Sequence, residues 1–135
     1  MRVPFTKLHG AENDFLLTWA SDVADGNLPE LARRICARTT GIGGDGWMLV
    51  WREEEGLRTR LFNSDGSEAE ISGNGTRCAA AFGLLNGLKG PELMMTTGAG
   101  RKTLRRSSRK GGEFLLEMDM GLPGEEARYA TLGLA

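Results

Sequence analysis

The sequence has little cysteine, almost no net charge and no long apolar run. With only two cysteines in 135 residues, Cys36 and Cys78, neither a disulfide framework nor a zinc spacing can be assembled. Both sit in apolar helical patterns, as buried thiols do. No stretch approaches the roughly 18 consecutive apolar residues of a membrane span. The N-terminus, MRVPFTKLHG, lacks the apolar core of a signal peptide, so a cytoplasmic protein is expected, with no membrane partner. A net charge of -1 exerts no general pull on nucleic acid. No G-K-[ST] occurs, which excludes a P-loop.

What is present suits one domain, or one half of a two-domain protein. Hydrophobic residues make up 40% and charged residues 26%, ordinary for a globular domain. Twenty glycines is many for this length. They gather in GIGGDG, SGNG and TGAG, which implies shaped turns rather than a linker.

Apolar runs and turn clusters predict strands at 3–7, 15–20, 47–52, 57–63, 92–97, 102–107 and 113–120. HGAEND separates the first two. Asn27 and Pro29 open an amphipathic helix, with Gly41 as its stop. Residues 74–86 form a second helix, apolar on nearly every side and therefore buried. The tail GLPGEEARYATLGLA carries no clear element. Strands and helices do not alternate regularly, which argues against a doubly wound sheet. The expected fold is α+β: a curved, mixed and mostly antiparallel sheet wrapped around a central helix.

GIGGDG (41–46) satisfies G-x-G-x-x-G formally, but a helix precedes it and a strand follows. That reverses the dinucleotide-binding order. RKTLRRSSRK (101–110) has six cations and no acid, yet no aromatic residues interleave to stack bases. It reads as the solvated face of a hairpin. SGNG (72–75) opens a helix. The amides of Gly73, Asn74 and Gly75 then converge on one spot with the positive end of the helix dipole, as a carboxylate requires. The same residues also read as a capped helix start, with Ser72 or Asn74 as the cap.

The segment FNSDGSEAEISGNGTRCAAA resembles the active-site stretch of diaminopimelate epimerases. KLHGAENDFLL (7–17), RTTGIGGDGWMLV (38–50), TTGAG (96–100) and MDMGLP (118–123) resemble further segments of that family, in the same order. The resemblance runs from about residue 3 to 124. It implies an N-terminal domain at 1–124, with 125–135 as the start of an interdomain segment or a tail. It implies an isomerase that needs neither pyridoxal phosphate nor metal, acting in lysine and peptidoglycan precursor synthesis. Two pseudo-symmetric domains would enclose a diaminopimelate-like amino acid, with one thiol on each side of its α-carbon.

Carried over by motif, Asn13 and Asn63 match residues that hydrogen-bond the substrate. Gly73 and Asn74 match the nest for its α-carboxylate. Ser72 stands where the family has its first catalytic cysteine, and Cys78 matches a cysteine that is not catalytic. Gly46 stands where the family often has glutamine, removing one expected contact. Serine changes the chemistry, because a free thiol titrates near about 8.5 and an alcohol needs an adjacent base. Asp65, Glu68 and Glu70 are the carboxylates nearby. If the stretch is extended, Glu68, Glu70 and Ser72 share a face.

The chain is about half the family's length, and two-base chemistry needs groups on both faces of the carbon. The second face then comes from a missing C-terminal half or from a second copy in a homodimer. The alternatives are a racemase or dehydratase of this fold acting on another amino acid with Ser72 in place of the thiol, and a non-catalytic carboxylate-binding or assembly module.

Overall fold

The computed structural model describes residues 2–24, 26–121 and 128–134, with backbone alone at 119–121 and 128–134. The chain opens with a hairpin. Strand β1 (Thr6–Gly10) pairs antiparallel with β2 (Asn13–Trp19), from Thr6↔Leu17 to Gly10↔Asn13. HGAEND is therefore not an interruption: His9 and Gly10 end β1, and Asn13 and Asp14 begin β2. The turn consists of Ala11 and Glu12, both at positive φ (49° and 69°). Consecutive positive φ values match the twist of a two-residue hairpin, but the usual glycine or asparagine signal is missing, so the sequence conceals the turn.

Helix α1 (Leu28–Cys36) begins at Asn27, whose side-chain oxygen accepts from the Glu30 amide at 3.1 Å. It ends at Cys36, five residues before the expected stop at Gly41, because Ala37 turns extended. The glycine turn then folds back over the helix end. The amides of Ile42 and Gly43 donate to the Ile35 carbonyl, and that of Gly44 donates to the Cys36 carbonyl. The carbonyls orphaned at the end of α1 are satisfied in this way.

Strand β3 (Gly46–Glu53) lies parallel to β2, from Phe15↔Gly46 to Trp19↔Val50, with α1 as the crossover that parallel pairing demands. It turns antiparallel into β4 (Gly56–Asn63), from Gly46↔Asn63 to Glu53↔Gly56. A two-residue strand, β5 (Glu68–Ala69), adds to β4. Helix α2 (Gly73–Leu85) is the second crossover, leading to β6 (Glu92–Thr97), which is parallel to β4. The antiparallel strands β7 (Gly100–Lys110), β8 (Glu113–Gly121) and β9 (Arg128–Leu134) follow. The tail thus contributes a strand that the sequence did not reveal. The last two residues of MDMGLP and the boundary expected at 124 lie outside the described residues.

Pairing runs β3-β2-β1-β9-β8-β7-β6-β4, and β3 also pairs with β4. The sheet closes into a ring, with Gly10↔Leu134 joining β1 to β9. The expected curved mixed sheet around a central helix is therefore present. Helix α2 threads the ring, and Gly75 to Leu84 are all buried. Its almost wholly apolar surface follows from strands lying on every side. Alternation along the strands separates two cores. Phe15, Leu17, Met48 and Leu61 face α2. Leu16, Trp47, Leu49 and Phe62 face outward and are covered by α1 through Ala32 and Cys36. Among the described residues, no helix is long and apolar enough to cross a membrane.

Candidate active site

The starts of β2 and β3 and the end of β4 lie side by side, since Phe15 pairs with Gly46 and Gly46 with Asn63. The α2 N-terminus opens at the same end. Asn13 and Asn63 lie two residues from Phe15 and Leu61, so the pleat turns them toward the α2 side of the sheet. The topology thus gathers Asn13, Asn63, Ser72, Gly73 and Asn74 at one mouth of the ring.

Ser72 is the N-cap of α2. Its backbone is extended (φ -135°, ψ 126°), and its hydroxyl oxygen accepts from the Gly75 amide at 3.1 Å. Its carbonyl accepts from the Thr76 amide at 2.8 Å. Among the described residues no protein acceptor meets the amides of Gly73 and Asn74, which sit half-buried at the helix terminus. The helix start is pressed close to the sheet. A Cβ on Gly75 would lie 3.3 Å from Met48 Sδ, Phe15 Cε1 and Ser72 Cβ alike.

A hydrogen-bonded chain runs away from this terminus. Asn74 Nδ2 donates to Asn13 Oδ1 at 2.7 Å, and Asn13 Nδ2 donates to Asp45 Oδ2 at 3.0 Å. Asp45 and Asp14 bond reciprocally: the Asp14 amide donates to Asp45 Oδ2, and the Asp45 amide donates to Asp14 Oδ1, each at 3.0 Å. The Arg38 guanidinium spans both carboxylates, at 2.8 and 3.0 Å to Asp14 and 3.1 Å to Asp45. Lys7 Nζ lies 3.3 Å from Asp14. Hydrogen bonds from Arg38 hold the Asp14 carboxyl well below the usual carboxylate range; Lys7 and the Asp45 amide act in the same direction, and partial burial opposes them.

Asn63 is exposed and occupied locally. Its Nδ2 donates to Ser67 Oγ at 3.0 Å, and its amide donates to the Ser67 carbonyl at 2.7 Å. It shares the mouth with the other residues, but its side-chain hydrogen bond goes to Ser67 and not to Asn13 or Asn74.

The carboxylates near Ser72 in sequence are directed elsewhere. Glu68 receives Arg60 Nε at 2.7 Å. Asp65 accepts from the Ser67 hydroxyl and amide, which lowers its pKa. Glu70 is exposed. Among the described residues, no carboxylate hydrogen-bonds to the Ser72 hydroxyl. Burial pushes the Cys78 thiol up to about 12 and the Cys36 thiol up to about 11, so neither is a nucleophile near neutral pH.

The other sequence features fall outside this mouth. The amides of GIGGDG cap α1, as described above. The basic run forms β7, where Arg105 pairs with Glu92 at 3.2 Å and Arg109 lies over the Phe114 ring at 4.8 Å, as on a solvated hairpin face. An open depression of about 650 Å³ lies over α1, lined by Val3, Leu28, Leu31 and Ile42 among others, away from the α2 terminus. Reading the sequence missed Asp14, Arg38 and Asp45. The available signal was two acids, each following a motif of polar or glycine residues, with an arginine just past a helix end. Only the parallel register of β2 and β3 brings them together.

Comparison with known proteins places this geometry. The family profile for diaminopimelate epimerase matches residues 5–123. A diaminopimelate epimerase from Moorella thermoacetica is 46% identical over 122 residues, 88% of this chain and 44% of that protein. One from Halothermothrix orenii is 39% identical over 127 residues, 91% of this chain and 45% of that protein. The chain therefore spans a little under half the length of these relatives. At 13% identity, the crystal structure of a methylitaconate-delta-isomerase shares the fold with a TM-score of 0.68, over 98% of this chain and 41% of that one. On the profile match and the identity to these relatives, the chain belongs to the diaminopimelate epimerase family.

Proposed function

We propose that this chain supplies one half of an amino-acid epimerase cleft for a diaminopimelate-like substrate. The observation that carries the reading is the pair of open amides at Gly73 and Asn74, beside a side-chain network that fixes Asn13 and Asn74. In this reading the two amides receive the α-carboxylate, helped by the helix dipole. Asn13 and Asn63 hold the rest of the amino acid. Ser72 then faces the α-carbon from one side.

Inversion needs an acid and a base on opposite faces. The second face comes from a second domain or a second chain. Among the described residues no base hydrogen-bonds to the Ser72 hydroxyl, so in this reading its alcohol does not remove an α-proton at neutral pH. The chain binds the amino acid and does not turn it over unaided. The capping role of the Ser72 hydroxyl favours a second reading, in which the domain holds a carboxylate ligand without any turnover.

The test has two parts. Titration with diaminopimelate is expected to shift the backbone amide resonances of Gly73 and Asn74. Proton NMR in deuterated solvent is expected to show no loss of the α-proton signal. Exchange by the purified chain would overturn the passive role given to Ser72. Pairing Ser72→Cys with a C-terminal epimerase domain separates the readings: restored exchange supports the half-cleft, and binding without exchange supports the carboxylate-binding module.

A further inference from the structure

We propose that Asp45 is a positioning residue: it sets the orientation of the Asn13 and Asn74 carboxamides through a one-way hydrogen-bond relay, and so decides which atom Asn74 presents at the α2 terminus. The proposal rests on the substrate site described above but concerns the protein without ligand. A carboxamide can be turned over, exchanging donor for acceptor, at almost no steric cost. Something must therefore choose its direction. An ionised carboxylate can choose, because it only accepts.

Asp45 is placed for this task. One oxygen takes Arg38 at 3.1 Å, and the other takes the Asp14 amide and Asn13 Nδ2, each at 3.0 Å. Asn13 must therefore point its NH2 at Asp45. Its oxygen is left for Asn74 Nδ2, 2.7 Å away. Asn74 in turn must donate to Asn13, which leaves its own carboxamide oxygen as an acceptor on the first turn of α2. The site thus offers amide donors together with one carbonyl acceptor, a polarity suited to a zwitterionic amino acid. Were Asn74 turned over, it would add a donor in place of that acceptor.

The glycine turn explains why Asp45 can reach. The amides of residues 42–44 anchor the turn to the end of α1. The Asp45 amide donates to the Asp14 carbonyl at 2.8 Å and to its carboxylate. The backbone at 45 is therefore fixed against β2. The relay crosses three elements, and the acceptor-only group stands at its origin.

The experiment is side-chain amide NMR on the whole chain, with Asp45→Ala, Asn13→Asp and the double variant. In the unmodified chain, the Asn13 and Asn74 NH2 protons are expected to exchange with solvent more slowly than those of exposed Asn27. Asp45→Ala is expected to abolish this protection at Asn74, while the amide protection of α2 beyond Thr76 is kept. Affinity for diaminopimelate then falls by about five- to tenfold, the size of one neutral hydrogen bond.

Asn13→Asp alone sets a second carboxylate against Asp45 and is expected to lower the melting temperature. Combined with Asp45→Ala, it restores Asn74 protection, since a carboxylate at 13 accepts from Asn74 whatever stands at 45. A residue that served only packing would give no such rescue. Unchanged Asn74 protection in Asp45→Ala overturns the proposal, as does failure of the double variant to restore it. If Asp45→Ala does not fold, the unmodified chain decides: Asn13 and Asn74 exchanging as fast as Asn27 overturns the relay. Loss of the relay with diaminopimelate still bound refutes only this inference. An intact relay with no binding refutes only the functional reading.

Discussion

The hydroxyl oxygen of Ser72 lies 3.1 Å from the amide nitrogen of Gly75 and accepts its hydrogen. That bond makes Ser72 a structural element of α2 before it is anything else. Gly75 is buried, so water cannot easily replace the lost acceptor. Ser72→Ala is expected to destabilise the chain by about 1 kcal/mol, the usual cost of an N-cap. Urea unfolding measures it: the midpoint falls while the slope stays constant. Unchanged stability would mean that the cap contributes nothing here.

The same position also controls thiol chemistry. Cys36 and Cys78 are buried, with their thiols pushed up to about 11 and about 12. At pH 8 the native chain is expected to resist alkylation by iodoacetamide and to react at both cysteines once unfolded. Ser72→Cys places a half-exposed thiol at a helix N-terminus, where the dipole favours thiolate. Mass spectrometry of that variant is expected to show one rapid modification, at position 72. Rapid modification of Cys78 in the native chain would contradict its burial.

Asp14 supplies a pH dependence. Its folded pKa is depressed, chiefly by the Arg38 guanidinium. A depressed carboxylate contributes stability above its unfolded pKa, about 3.9, and that contribution is lost as the pH falls from there toward the folded value. Arg38→Ala is expected to raise the Asp14 pKa, seen by carboxyl carbon NMR, with part of the depression left to Lys7. The stability difference between variant and wild type is then largest above about pH 5 and shrinks in acid. Salt also shrinks it, because the Arg38 side chain is 56% exposed. A difference that persists unchanged below pH 2 would rule out this pair as its source.

Much of the architecture was legible because it is written in periodicity. The all-round apolarity of residues 74–86 announced a helix inside a ring of strands, and Asn27 announced the start of α1. Asn13, Ser72, Gly73 and Asn74 came from motif resemblance, and the structure gathers them at one mouth. What stayed hidden depends on other forces. The β1–β2 turn uses Ala11 and Glu12 at positive φ, so no glycine marks it. Helix α1 stops at Cys36, where Ala37 turns extended and the amides of 42–44 return to the Ile35 and Cys36 carbonyls; GIGGDG marked a shaped turn but not where the helix ends. Glu68 is the side chain of a two-residue strand and pairs with Arg60 across it. Sequence distance placed it near Ser72; strand pairing took it away.

Closure of the ring depends on the parallel junction of β4 and β6, which has three residue pairs. Gly56 pairs there with Met94. A Cβ on Gly56 would lie 1.9 Å from the Met94 carbonyl oxygen and 2.8 Å from its carbonyl carbon. Backbone atoms cannot rotate aside as a flexible side chain can. Either β6 shifts away, with loss of the junction, or the β3–β4 turn opens. Gly56→Ala is therefore expected to cost about 3 kcal/mol or more, at the upper end of overpacking. Gly112 is the matched control. It lies in the β7–β8 turn with nothing within 4 Å of an added Cβ, so Gly112→Ala should stay within about 0.5 kcal/mol of wild type. Thermal unfolding of the two variants side by side makes the comparison. Equal melting temperatures would show that β6 can leave Gly56 without cost, and that the ring does not need this junction to stay closed.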